Sequence, residues 1–429
     1  MSQETKTEFK NRVFGCVIVK SINSNFNADF THYPRTLPDG VVYSTDKALK
    51  YTIKDYFRKI GNDQQLFYVK RYNDKMNPIT LNDTYKHIFG SYPKAPVDKY
   101  CLFYFDGEDA KGVLPKVSKK KQVTDYFKSL EPDSLLIKYQ KDFEALAGKD
   151  ALVIEESKVE KPNAETEMFY YTQKNVIKTI DGNLDEIKQI CEELENKLTG
   201  GINKFEVLKN LLTCLDIRLF GATFADGIDK VNISIHGPVQ INHGVNRFMD
   251  GKGEIINEPY TEDILSPFAS KENAQMSTIG NQTNLKEGHY VFHFSVNPKN
   301  TEEYYAMINK DKSAKQFLSS DDIDKLKEAF NNSVTALDSS RKIGSENEAT
   351  VWIQLKEGSK KMLPSLTELV IVNEEREMDF SKVCEVVTQI KDDIEKVEVF
   401  YNPVTTKISG LDKCHNIKLY NILNNDEIK

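Results

Sequence analysis

The sequence predicts an α+β protein, and three observations carry that prediction. Some segments alternate apolar and polar residues: Val231, Ile233 and Ile235 alternate with Asn232, Ser234 and His236, and His289–Val296 (HYVFHFSV) behaves alike. A period of two is what a strand with one buried face needs. Other segments repeat at helical spacing, among them Leu49, Ile53, Tyr56, Phe57 and Ile60, and Leu184, Ile187, Ile190, Cys191, Leu194 and Leu198. Finally, 429 residues that are 39% hydrophobic and 29% charged belong to a soluble globular chain with room for a sizeable core and one to three domains.

Taken in order, Val13–Lys20 (VFGCVIVK) reads as a buried strand rich in β-branched residues. Residues 21–40, full of Asn, Asp, Pro and Gly, form a loop too polar for the core. Ser44 or Thr45 caps a helix with Asp46 in its first turn. Opposite its apolar face stand Lys47, Lys50, Lys54 and Arg58, a cationic stripe that either tracks a phosphate backbone or is a solvated helix face. Leu66–Lys70 and Tyr100–Phe105 read as short strands, with Tyr68, Phe103 and Tyr104 as core or base-stacking residues. Ser118–Gln122 is a local basic cluster. Residues 125–205 read as mostly helical; Gly200 and Gly201 close one helix, and another begins near Asn203 with Phe205, Leu208 and Leu212 on one face.

Ile217–Phe224 (IRLFGATF) and Val231–Gly244 (VNISIHGPVQINHG) follow as strands, the second bent, bulged or at an edge where Pro238 falls. Asn246–Gly288, rich in Gly, Asn, Ser and Thr, is long for a loop, and such loops are functional or mobile. Ser320–Ser333 begins with capping chemistry and turns Ile323, Leu326 and Phe330 inward. Ser339–Gly344 (SSRKIG) sets Arg341 and Lys342 in a loop suited to phosphate. Thr350–Leu355, Thr367–Val372 and Lys396–Tyr401 complete the strands, and a polar tail ends the chain. Cys16, Cys101, Cys191, Cys214, Cys384 and Cys414 are scattered without a C-x-x-C, which predicts reduced thiols. No run of eighteen apolar residues and no apolar stretch in MSQETKTEFKN are present, so neither membrane span nor secretion is expected, and the location expected is cytoplasmic. The net charge of −7 argues against a nucleic-acid partner, but its distribution is uneven. Residues 1–60 hold ten Lys/Arg against six Asp/Glu, and residues 141–200 hold eight against fourteen.

The signature RLFGA followed by IHGPVQ resembles the backbone subunit of type I CRISPR interference complexes, the Cas-seven family. VIVKSINSNFNADFTHYPRTLPDGVVYSTDKALKYTIKDYF near the start is similar to the subtype I-B branch. So is the run from ILSPF at Ile264 through GHYVFHFSVNPKN to SSRKIGSENEA, which ends at Ala349. The resemblance covers residues 10–70 and 205–375 and leaves 106–205 outside. It implies an RRM-like (ferredoxin-like) antiparallel sheet core with a helical insertion and an extended thumb hairpin or loop, which the order of strands and helices suits. Residues 1–105 would open the core with an RNA-contacting loop and helix, 106–205 form the insertion, 206–245 add core strands, 246–288 form the thumb, and 289–429 complete the core.

The resemblance also implies a non-catalytic subunit without cofactor. Several copies would line up along a CRISPR RNA and present its guide to a target DNA strand, the protein holding backbone while base pairing reads sequence. Cas-five and Cas-eight type subunits and a recruited Cas-three helicase-nuclease are the other partners it implies. Candidate RNA contacts are Lys20, Asn23, Asn25 and Arg35; Lys47, Lys50, Lys54 and Arg58; His236, Gln240, Asn242 and Arg247; and Arg341 and Lys342. Arg218 either joins them or pairs with Asp216 or Asp226, and Gly237 lets backbone approach RNA closely. Phe248, Met249, Phe268 and Met276 are candidates for wedging between bases.

The competing reading is an enzyme. Related subunits of type III complexes cut target RNA with a loop Asp; Asp29 and Asp39 lie in such a loop, and His236 and His243 are available as acid or base. Spacing sets no pair, however: on an ideal strand the two histidines stand on opposite faces roughly 23 Å apart. A CRISPR RNA-processing endonuclease would need a catalytic His in a dedicated pocket, and none is singled out. His289 and His293 share a strand face but lack a third ligand, so no metal is expected.

Overall fold

Val13–Ser24 is the strand on which the rest is assembled, and Val13 to Val19 are buried without interruption. They are so because both faces of the strand are covered. Phe14, Cys16 and Ile18 enter an apolar layer with Leu366, Val370, Met378, Phe380, Val383 and Val387. On the other face Gly15 lies against Phe294, whose ring packs on Phe330 and Trp352 with centroids 4.6 and 5.5 Å away. A Cβ on Gly15 would meet Phe294 Cζ at 2.4 Å, so only glycine leaves room for that ring.

Antiparallel neighbours flank this strand on both sides: Thr278–Val296, with Val13 opposite Val296, and Ser345–Leu355, with Val13 opposite Gln354. Among the described residues the sheet has nine strands. Ile394–Tyr401 and Ile417–Asn421 extend it beyond Ser345–Leu355; Gly244–Asn246 and Tyr43–Ser44 extend it beyond Thr278–Val296. The pairing of Ile394–Tyr401 with Ile417–Asn421 is parallel and the other ladders are antiparallel. The helices Asp46–Lys59 and Ser320–Asn332 cover the Phe294 face: Phe330 carbonyl accepts from Asn347 Nδ2 at 2.7 Å, and Thr52 and Ser333 hydroxyls meet at 3.1 Å.

The computed structural model describes residues 7–59, 65–94, 100–106, 109–115, 124–125, 127–130, 132, 140–141, 168–171, 177–179, 202–226, 231–262, 278–309, 316–412, 414 and 416–428. Two units are distinguished, Met1–Ile88 with Leu208–Lys429, and Phe89–Val207. The second carries a four-stranded sheet that includes Tyr100–Asp106, Asp109–Pro115, Met168–Tyr171 and Ile177–Thr179.

Within 125–205, expected to be mostly helical, Met168–Tyr171 and Ile177–Thr179 are strands, and most of the range, with the Leu184–Leu198 repeat, lies outside the described residues, as does Ser118–Gln122. Other expectations change for local reasons. The first strand runs on to Ser24 because Ser21, Ser24 and Ser345 hydroxyls bond one another in the interior. Leu66–Lys70 is no strand: the Phe67 and Tyr68 N–H groups donate to the Asp216 carboxylate at 2.8 and 2.7 Å instead of to a ladder. Ile217–Phe224 is half helix, Leu215–Phe220, which Gly221 ends at φ 75° before the strand Gly221–Asp226. Thr367–Val372 is a 3₁₀ turn, Leu366–Glu368, and a two-residue strand, Ile371–Val372. Asn203 caps Lys204–Leu211, but Phe205 is 61% exposed while Leu208 and Leu212 are buried. Residues 246–288 are more than a loop: Ile255–Glu262 pairs with the leading part of Thr278–Val296 in an antiparallel arm. Cys384 and Cys414 form a disulfide with Cα atoms 4.7 Å apart, against the expected thiols. The parallel pairing of Glu377–Asp379 with Lys407–Ser409 brings them together, which their 30-residue separation conceals.

Arg218 is internal, but its partner is neither Asp216 nor Asp226. Its Nη2 and Nε donate to Asp322 Oδ1 and Oδ2 at 2.8 and 3.2 Å. Asp322 also closes a capping box with Ser319 at the start of Ser320–Asn332. Burial pushes the Asp322 carboxyl up, but Arg218 and the Ser319 donors outweigh it and hold the carboxyl below its ordinary value. The stability this gives is present above the usual Asp range and is lost as pH falls through the lowered folded value. Asp322→Asn is therefore expected to lower unfolding stability at neutral pH by about 3 kcal/mol, as breaking a buried pair does. In urea melts, the gap to the unaltered protein should close below roughly pH 4. A gap that stays constant well below that pH would show that the carboxylate charge is not what stabilises the helix start.

Candidate nucleic-acid interface

The first helix starts where Thr45 Oγ1 accepts from the Ala48 N–H at 3.3 Å, and its Asp46 stands in the first turn. Leu49, Ile53, Tyr56 and Phe57 bury one side, as the spacing predicts; Ile60 lies outside the described residues. The lysines of the other side form one wall of a groove of about 660 Å³. Phe220, Gly221, Ala222 and Thr223 line it, and so do Ile235, His236, Gly237 and Gln240 from the second half of the central stretch. Lys47, Lys50, Lys54, His236, Gly237 and Gln240, which are far apart in sequence, therefore share one concavity.

Two of the lysines lie near aromatic rings: Lys50 Nζ is 5.6 Å from the Phe220 centroid and Lys54 Nζ 6.0 Å from that of Tyr68. Lys50 also pairs with Asp46 at 3.1 Å. Burial pushes the Lys54 amine below its ordinary value, against the pull of Asp216. Burial pushes the Asp216 carboxyl up, while the Phe67 and Tyr68 N–H groups and Lys54 pull it back. Tyr68 is pushed up to about 12 by burial and by Asp216, so it remains a neutral phenol. The groove presents cations on one wall, two aromatic rings, and the polar side chains His236 and Gln240 opposite.

The groove depends on a crossing of backbones. The strand Val231–His236 pairs with Gly221–Asp226; after Gly237 and Pro238 the chain changes sheets, and Val239–Ile241 joins Thr278–Val296. The interruption foreseen at Pro238 is thus a switch between sheets. A Cβ on Gly237 would stand 2.1 Å from Phe220 C and 2.3 Å from Gly221 N. The close approach that the structure shows at this glycine is to its own chain, and the residue also lines the groove.

Several other candidates are already engaged within the protein. Lys20 pairs with Glu346. Asn25 is buried and its Nδ2 donates to His32 and Thr283 carbonyls at 3.1 and 3.0 Å. Arg58 pairs with Asp55, and Arg247 with Glu368 at 3.0 Å. Asn242 donates to Thr367 Oγ1 at 3.2 Å and accepts from the His293 N–H at 2.8 Å. Lys342 donates to the Phe26 carbonyl at 2.7 Å, which makes it an anchor for the first loop; Arg341 Nη1 meets His32 Nδ1 at 3.1 Å. Asn23 is exposed at φ 46° and Arg35 is half-buried. Phe248 is held by the His289 ring, centroids 5.2 Å apart, whereas Met249 is 57% exposed; Phe268 and Met276 lie outside the described residues. His289 is fully buried between Glu348 and Glu287, Nδ1 at 2.5 Å from the first and Nε2 at 3.3 Å from the second. Asp216 and Phe220 were missed as groove residues. Phe220 sits inside the RLFGA signature, but no periodicity marks Asp216 as a backbone acceptor.

A family model described as CRISPR-associated protein Cas7 matches residues 11–107 and 102–395, and so runs through the segment that the motifs left outside. No curated protein matches the chain. Among solved structures, a chain of a "CRISPR RNA-guided surveillance complex, pre-nicking" is similar over 94% of this chain and 96% of its own, at 10% identity and TM-score 0.41. A chain of a "CRISPR RNA-guided surveillance complex" is similar over 95% of each, at 10% identity and TM-score 0.39.

Gly237→Ala separates a packing role from an RNA-binding role. The added methyl meets backbone, which cannot rotate away, so a loss of about 3 kcal/mol is expected, the upper end for overpacking. The readout is the urea midpoint of the purified protein. An unchanged midpoint together with abolished RNA binding would make Gly237 a residue that touches RNA after all.

Proposed function

This chain belongs to the Cas7 family of CRISPR-associated proteins, and on that premise we propose that it is the RNA-holding backbone subunit of a type I interference complex, of subtype I-B. The observation that carries the reading is the groove, where the lysines of the first helix face the HGPVQ turn of the family signature across a concavity lined by aromatic rings. Lysines neutralise phosphates and release counterions, and rings accept bases without regard to sequence. Further copies would continue the track along a CRISPR RNA, with the guide left to pair with target DNA. Cas-five and Cas-eight type subunits would complete the assembly, a Cas-three helicase-nuclease would be recruited to it, and the complex would work in the cytoplasm. The sheet is read as RRM-like with insertions, and the arm of Ile255–Glu262 and Thr278–Val296 as the thumb.

We assign no catalysis to the chain. Asp29 is occupied in a turn, where it accepts from the Thr31 N–H and hydroxyl and the Tyr33 N–H, and Asp39 accepts from the Val41 N–H. His243 lies against Asp46 and His236 in the groove, so neither is paired with these carboxylates. With labelled complementary RNA or DNA and magnesium or manganese, the assembled complex is expected to leave both strands intact. Regularly spaced cuts that vanish in Asp39→Ala would establish the nuclease reading instead.

The groove is tested by Lys47→Glu with Lys50→Glu. Lys54 stays in place, because a carboxylate there would stand beside buried Asp216. Affinity for single-stranded RNA should fall more than tenfold. The slope of log K against log salt should become shallower by about 1.4, or about 0.7 for each phosphate no longer neutralised. Far-UV circular dichroism should be unchanged. Equal slopes would place the RNA track elsewhere.

A further inference from the structure

At the foot of the arm, a turn closed by the bridge between Ala28 and Pro34 holds Phe30 with 97% of its surface exposed. The turn is well braced. The Asp29 carboxylate takes three hydrogen bonds from Thr31 and Tyr33, at 2.8, 2.8 and 3.0 Å, and the Asp29 N–H donates to the Tyr33 carbonyl at 2.8 Å. Asn25 ties the turn to the arm, since one amide group donates both to His32 in the turn and to Thr283 in the arm strand. A phenyl ring fixed in water by a braced turn loses little conformational freedom when a partner covers it.

The surroundings indicate what that partner is. Arg341 Nη1 meets His32 of the same turn, and the buried Nε of Arg35 has no hydrogen-bond partner among the described residues. The Arg35 carbonyl accepts from the Tyr43 N–H at 2.9 Å, and the Tyr43 ring lies 5.6 Å from that of His243. His243 in turn meets Asp46, which lines the groove. The turn that carries Phe30 is thus linked to the groove through Arg35, Tyr43 and His243, and the Arg341 guanidinium stands on it. A guanidinium and a bare ring on one turn fit a single nucleic-acid strand, which offers phosphates and flat bases together.

We propose that Phe30 stacks on a base of the bound RNA where the strand passes from the groove to the foot of the arm. The proposal rests on the RNA-holding reading above. Its test uses the full chain and a short oligouridine RNA. The protein has one tryptophan, Trp352, which is fully buried, so Phe30→Trp adds an exposed fluorophore that emits to the red of it and is read after subtraction of the unaltered chain's signal. Its emission should be quenched saturably as RNA is added. Phe30→Ala should weaken binding roughly tenfold, as removing one stacking partner does, with the salt slope unchanged because every phosphate stays neutralised. Phe30→Leu should be as weak as Phe30→Ala.

RNA binding by Phe30→Ala within twofold of the unaltered chain, with no quenching of Phe30→Trp, overturns the proposal and leaves the groove reading intact. Full affinity in Phe30→Leu does so too, because an aliphatic group would then suffice. Quenching that follows protein concentration without RNA would assign the ring to an interface between copies and overturn the proposal. No RNA binding by the unaltered chain overturns both readings.

Discussion

The structure depends on burying Val13–Ser24 from both sides. A strand in that position needs a partner on each edge and a layer on each face, and the sequence supplies all four from distant places. Thr278–Val296 and Ser345–Leu355 take the edges, the helices Asp46–Lys59 and Ser320–Asn332 take one face, and residues around Met378 take the other. Gly15 shows how tight the arrangement is, because a phenyl ring occupies the space of its missing side chain. The arm follows from the same ladder. Thr278–Val296 is longer than the strand it pairs with, and the surplus finds its partner in Ile255–Glu262.

Charge is distributed by a second constraint. A partly buried cation must find a carboxylate or a carbonyl, or its desolvation goes uncompensated. Lys20, Arg218, Arg247 and Lys342 all meet that requirement within the protein. On the wall of the groove Lys47 is exposed, Lys50 pairs with Asp46 and lies over the Phe220 ring, and Lys54 lies over the Tyr68 ring with Asp216 near it. A net charge of −7 is therefore compatible with a cationic track, because many of the remaining charges are paired or lie elsewhere.

How much of this was legible in the sequence follows from how local each signal is. The amphipathic first helix and the alternation of Val231, Ile233 and Ile235 are local patterns found as read, and the capping chemistry read at Ser320 is found with its cap one residue earlier, at Ser319. The break at Pro238 was visible, but its meaning as a change of sheets needed the partner strands. Ile217 to Phe220 read as strand because Ile, Leu and Phe suit either state in so short a run, and the helix is set by tertiary packing and ended by Gly221. The fate of the candidate cations was not readable, because Asp322, Glu346 and Glu368 are more than a hundred residues from the groups they hold. Phe30 was passed over in a polar loop, since exposure of one aromatic residue leaves no periodic trace.

The register of the central ladder also bears on how the chain reaches its native state. Val13 lies opposite Val296 and Gln354, so the first strand cannot complete its pairing until most of the polypeptide has left the ribosome. At translation rates of about 5–20 residues per second, that is a delay of tens of seconds. Through it, the run VFGCVIV is an unpaired, β-prone apolar segment of high contact order, a template for aggregation unless it is shielded. Recovery of native protein should thus depend on holdase capacity during synthesis more than on the equilibrium stability of the finished fold.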